Sequence, residues 1–98
     1  MFGQMKQLME MQKKMQEVKR QLDNTFFDIV SSDGAVRITM SASQELKSIN
    51  IQPEVSSIDK NALEASLKEA YNKAIKRSHE IGAEKMRQVT GFNIPGLT

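Results

Sequence analysis

Apolar side chains in the first quarter of the chain recur at helical spacing. Met1, Leu8, Met15 and Leu22 share one heptad position, and Gln4, Met11 and Val18 share the other, with Met5 and Met9 widening the stripe. Residues 4–22 hold no Gly and no Pro, and Val18 is their one β-branched residue. The pattern predicts a helix over 4–22 with an apolar seam of about three heptads. At Asp23-Asn24 the period drops to two. Residues 25–31 then form a predicted strand, and Ser32-Asp33-Gly34 supplies a turn whose Asp-Gly pair tolerates positive φ. Over 35–41, Val36, Ile38 and Met40 point one way while Arg37 and Thr39 point the other. After a polar break at 41–45, residues 46–51 form the third strand, with Ile49 and Ile51 inward and Ser48 and Asn50 outward. Three successive strands with short connections predict an antiparallel meander with one apolar and one polar face.

Pro53 ends the sheet, and Ser56, Ser57 or Asp59 can cap a second helix, Asp59 adding a favourable negative charge at the positive end. That helix is expected over 59–89, about 45 Å long at ~1.5 Å per residue. Its apolar arc takes in Leu63, Leu67, Ala70, Tyr71, Ala74, Ile75, Ile81 and Val89, and Thr90-Gly91 stops it. The segment 90–98 is irregular. Its Phe92, Ile94 and Leu97, set around Pro95-Gly96, are too apolar for a free end and are expected to pack back on the protein or on a twin. The fold class is therefore α+β, one αβββα domain over residues 1–98.

A strand of six residues spans roughly 20 Å, so the sheet cannot cover a helix twice that long. Both helices overhang it, and their apolar stripes must pack on each other or on a second copy. Size points to the second copy. A chain of 98 residues buries only roughly 60–65% of its unfolded surface as a monomer. With no cysteine, neither disulfides nor a thiolate metal site can add stability. A two-fold homodimer is the economical answer. No run approaches the ~20 apolar residues of a membrane span, and the opening MFGQMKQLMEMQKK lacks the unbroken apolar run of a signal peptide. A cytoplasmic location is expected.

Charge sharpens the picture. The net charge is +2, but residues 1–22 carry five Lys/Arg against two Glu, residues 23–56 two against five acids, and residues 57–98 seven against five. Basic ends and an acidic middle suggest an anionic partner. Lys6, Lys13 and Arg20 recur every seven residues opposite the seam, flanked by Lys14 and Lys19. Such a row suits a phosphate backbone. On the second helix Lys73, Lys76 and Arg87 face outward, interleaved with Glu69, Glu80 and Glu84 in ordinary i, i+4 fashion. Catalytic chemistry has no constellation to rest on. The one histidine, His79, has no ligand partner at helical spacing, Glu80/Glu84 reads as a solvated face, and no phosphate-binding glycine motif or nucleophile elbow occurs. No enzyme activity, cofactor, metal or small-molecule substrate is expected.

The αβββα order, the Met/Gln/Lys-rich first helix opening MFGQM, the segment INIQPEV at 49–55 and the close TGFNIPGLT at 90–98 resemble the YbaB/EbfC family of bacterial nucleoid-associated proteins. The resemblance spans essentially the whole chain. It departs from the family in having only Gly34 between the first two strands, in reading Ser41-Ala42-Ser43-Gln44 where an Asn/Gly-rich turn is usual, and in placing Asn50 where a basic residue often stands. What the resemblance implies is a tweezer-shaped homodimer, sheets forming the body and helices projecting as arms, that binds double-stranded DNA on the nucleoid. The DNA-facing candidates are Lys6, Lys13, Lys14, Lys19, Arg20, Lys73, Lys76 and Arg87, and the dimer or seam candidates are Leu8, Met11, Met15, Val18 and Leu22. The competing reading is a protein-interaction module whose Met/Leu seam receives another helix. Attachment to anionic membranes fits less well, because the apolar face is rich in Met rather than Trp or Phe.

Overall fold

The computed structural model describes residues 2–52 and 59–91. Helix α1 (Phe2–Asp23) leads into strands β1 (Phe26–Val30), β2 (Val36–Ser41) and β3 (Leu46–Ile51), and helix α2 (Lys60–Thr90) closes the order. The strands form one antiparallel sheet in the order β1-β2-β3. Pro53, Ser56, Ser57, Met1 and the tail 92–98 lie outside the described residues. Of the cap candidates Asp59 serves, its side chain accepting from the Ala62 N–H at 2.9 Å. At the other end Gly91, at φ 76°, returns its N–H to the Arg87 carbonyl at 2.8 Å. A left-handed residue just past the helix is the conformation glycine adopts without a Cβ penalty. Helix α1 stops because Asn24 and Thr25 turn their side chains onto its last carbonyls, those of Arg20 at 2.8 Å and Gln21 at 2.6 Å.

The core lies beneath the N-terminal half of α2. Val36, Ile38 and Met40 of β2 are buried against Ala35, Ala70 and Ala74, with Phe27, Ile29, Leu63, Leu67 and Ile75 packed around them. Alanine at 70 and 74 lets the helix settle closely on β2. Tyr71, expected in the apolar arc, instead stands 49% exposed; it is one residue, about 100° of helix rotation, from Ala70 and points off the sheet. A helix is about 10 Å across with its side chains and strands are about 4.8 Å apart, so one helix covers two strands. Here α2 covers β1 and β2. Leu46, Ile49 and Ile51 pair with Met40, Ile38 and Val36 and so share the core's face, yet they remain 43–47% exposed. The inward placement of Ile49 and Ile51 holds, but nothing in the described chain covers them.

Two turns tie the sheet to α2. In the first, Asp33 accepts from the Ser31 hydroxyl at 2.6 Å, the Ala35 N–H at 3.0 Å and the Ser66 hydroxyl of α2. Gly34 next to it takes φ 75°. Glu69 accepts from the Ser32 N–H at 3.0 Å and from the Ser32 hydroxyl, and pairs with Lys73 at 2.7 Å. In the second turn Gln44 occupies the left-handed region at φ 71°, a conformation usually left to Gly or Asn. Its side-chain amide donates to the buried Ser78 hydroxyl at 3.0 Å, which offsets the strain. The absence of an Asn/Gly-rich sequence there is thus resolved by a glutamine that holds the turn from its side chain.

These contacts make acid the weak side of the fold. Hydrogen bonds from Ser31 and Ser66 hold the Asp33 carboxyl at about 2 against an ordinary 3.8, and the Lys73 ammonium with Ser32 holds Glu69 at about 2 against 4.5. A depressed folded value stabilises the protein above the unfolded value, and that contribution is lost as pH falls towards the folded one. The melting temperature should therefore fall between about pH 4.5 and pH 2. Asp33→Asn should flatten that fall in a pH series of melting curves, while an unchanged profile would show that the turn adds nothing to folding.

Candidate nucleic-acid interface

Helix α1 meets only the C-terminal half of α2. Val18 is 3% exposed and Ala83 8%, and Leu22 lines a small hollow with Ala42, Gln44, Ser78, His79, Gly82, Ala83 and Met86. Two of the five seam candidates, Val18 and Leu22, are thus occupied within the chain. The other three, Leu8, Met11 and Met15, are 64%, 54% and 39% exposed. Met9 does not belong to the stripe: it is nine residues from Val18, about two and a half turns, and so on the opposite side of the helix.

The rows of cations differ in how far each is neutralised. On α2, Lys73 is held by Glu69, Arg87 by Glu84, and Arg77, at 3.2 Å, by Glu80. Glu80 and Glu84 are thus both engaged with arginines. Lys76 of that helix has no ion pair among the described residues. On α1, Arg20 is clamped by Glu17 through two contacts, at 3.0 and 2.5 Å. The Arg20 guanidinium pulls the Glu17 carboxyl down to about 2, and its own proton is held more tightly in return. Lys6, Lys13, Lys14 and Lys19 are exposed and without an ion pair among the described residues. The spacing of Lys6, Lys13 and Arg20 puts them about 10 Å apart along one helix face.

Sequence reasoning passed over two further cations. A bulge between Thr39 and Met40 leaves Lys47 as the extra residue of β3, and its ammonium lies 4.8 Å above the Phe26 ring on the outer face of the sheet. Arg37 stands on that same face, paired with Val30 and Asn50. Alternation already marked Arg37 as outward; the bulge that turns Lys47 there has no local signal. Asp28, the acidic residue among them, accepts from the Thr39 hydroxyl at 2.7 Å. Among the described residues no group of three or more His, Asp or Glu could hold a metal ion. His79 is exposed beside the Leu22–Met86 hollow. No helix among the described residues is long and apolar enough to cross a membrane.

The same architecture occurs in an uncharacterized protein of Helicobacter pylori, with a TM-score of 0.72 at 24% identity over 83% of this chain and 87% of that one. A nucleoid-associated protein of Dictyoglomus turgidum is 35% identical over 96 residues, 96% of this chain and 92% of the relative. One from Clostridium acetobutylicum is 35% identical over 94 residues, 94% of this chain and 84% of the relative. The model of the YbaB/EbfC DNA-binding family matches residues 1–92. With its αβββα order and a family match over nearly its whole length, this chain belongs to the YbaB/EbfC DNA-binding family.

Proposed function

We propose that this protein is a non-catalytic, nucleoid-associated homodimer that binds duplex DNA mainly through phosphate contacts made by the lysines of α1. The supporting observation is the contrast between the helices: among the described residues four of α1's five cations have no carboxylate partner, while four of α2's seven, Lys60, Lys73, Arg77 and Arg87, are paired. An unpaired ammonium gives up no existing ion pair on meeting a phosphate, and each such contact releases condensed counterions from DNA. Phosphate contacts position a protein without reading sequence. The four arginines, three of them ion-paired, leave little for guanine recognition. Of the α2 candidates Lys76 remains free to contribute, and Lys47 and Arg37 extend the cationic surface onto the sheet. Binding would place the protein on the nucleoid.

The second copy belongs on the bare end of the sheet. Leu46, Ile49 and Ile51 continue the core's apolar face past the edge of α2. Two such faces brought together remove from water what α2 leaves uncovered, and they leave the α1 arms projecting. An interaction module that offers α1's apolar side to another protein's helix is the competing reading, and salt separates the two. Phosphate binding weakens steeply with salt, whereas an apolar interface does not.

Light scattering should give about twice the 11.1 kDa chain mass, and Ile49→Asp with Ile51→Asp should halve it. A wild-type monomer would remove the dimer from the proposal. In retardation assays across a salt series, Lys6→Gln with Lys13→Gln removes up to four contacts per dimer. At ~0.9 per phosphate contact the slope of log affinity against log salt should flatten by about 3 to 4, with a similar loss on any sequence. Arg20→Gln, whose charge Glu17 already offsets, should change the slope much less. Parental slope and affinity in the double variant would move the DNA surface to Lys76 and the sheet.

A further inference from the structure

The molecule is far longer than its longest element. It measures 67 × 23 × 16 Å, whereas α2, with 31 residues, is about 46 Å long. Leu22 sits level with Gly82 and Ala83. From there α2 continues about 12 Å to Thr90, while α1 runs back about 30 Å to Phe2. Only if α1 runs antiparallel to α2 and overshoots its end by roughly 18 Å does the molecule reach the observed length. About the first twelve residues of α1 therefore project beyond Gly91, and along all of 3–16 every residue is exposed.

On that projecting stretch the stripe buried at Val18 continues. Met15, Met11 and Leu8 lie three, seven and ten residues before Val18, on the same side of the helix. Gln4, Gln7, Leu8 and Met11 line a hollow of about 320 Å³. The stripe is buried where α2 lies against it and bare where α2 has ended. The residue that ends α2, Gly91, stands in the left-handed conformation at the foot of the bare stretch. The seven residues after it, Phe92-Asn93-Ile94-Pro95-Gly96-Leu97-Thr98, can span about 23 Å when extended, enough for the 18 Å left open.

We propose that residues 92–98 dock along the Leu8–Met11–Met15 face of α1 in the same chain, taking over as its cover where α2 stops. Phe92, Ile94 and Leu97 offer three large apolar groups to a stripe of three, and the segment carries no charged side chain to desolvate. A tethered segment seven residues away acts at an effective concentration of order millimolar, which a second chain at micromolar concentration does not match. Docked there, the tail closes the side of the arm opposite Lys6 and Lys13 and leaves those lysines in solvent. The inference does not rest on DNA binding, nor on the dimer formed through the sheet.

The chain's lack of cysteine allows a clean test. A nitroxide attached to Thr98→Cys, beyond the three apolar anchors, should strip most of the intensity from the amide signals of α1 residues 4–11. It should spare α2 residues 62–72 over the sheet, and Met11→Asp in the labelled chain should restore the lost signals. Weak attenuation spread over the whole surface would overturn the proposal, because the tail would then be undocked. So would attenuation transferred to an isotope-labelled, nitroxide-free chain in an equilibrated mixture, because the tail would then lie on the partner. Neither result would alter the mass measured by light scattering, so docking of the tail and dimerisation through the sheet fail independently.

Discussion

Burial of Val36, Ile38 and Met40 beneath Ala70 and Ala74 is the contact on which the other features depend. Fully burying such aliphatic side chains is worth roughly 1.5–3 kcal/mol each, so this strip of β2 carries much of what a chain this small can gather. It also fixes where α2 lies. Once the helix is seated on the central strand, its width reaches β1 but not the far side of β3, and its length leaves half of it beyond the sheet. The bare faces of β3 and α1 are consequences of laying one long helix on a short three-stranded sheet.

Polar contacts then set the alignment that apolar packing leaves loose. Asp33 reaches Ser66, Glu69 reaches Ser32, and Gln44 reaches Ser78. Each joins a turn of the sheet to a different level of α2, so together they fix sliding and rotation of the helix. Two of the three depend on ionised carboxylates whose bonding holds them well below the ordinary range. The same residues that align the body therefore make it sensitive to acid.

The division of labour between the helices follows from the same geometry. Where α2 lies beside the serine-rich turn, Lys73 is used with Glu69 in holding the fold, and farther along Arg77 and Arg87 are paired with the helix's own glutamates. Where α1 leaves the body its lysines form no ion pair among the described residues, although Glu10 and Glu17 share the helix, and Glu17 is taken up by Arg20. Exposed pairs of that kind add little stability, yet this one removes Arg20 from the row of free cations.

From the amino-acid sequence alone the order of elements was legible, because the switch from helical to alternating spacing at Asp23-Asn24 and the Asp59 and Gly91 caps are local signals that packing did not override. The cation row on α1 was equally legible, since spacing in a regular helix fixes the face of every side chain. What remained beyond it were facts about distance between segments far apart in the chain. Periodicity placed Ile49 and Ile51 on the core's face but could not show that α2 is too narrow to cover them. It grouped Val18 with Leu8 and Met11 without showing that only Val18 and Leu22 meet α2, and it put Tyr71 in an arc that points past the sheet. The bulge that turns Lys47 over Phe26, the reach of Glu69 to Ser32 and the glutamine that holds a left-handed turn through Ser78 were likewise decided by tertiary structure. Hydrophobic spacing says which face of an element seeks cover; only the relative placement of the elements decides how much of that face receives it.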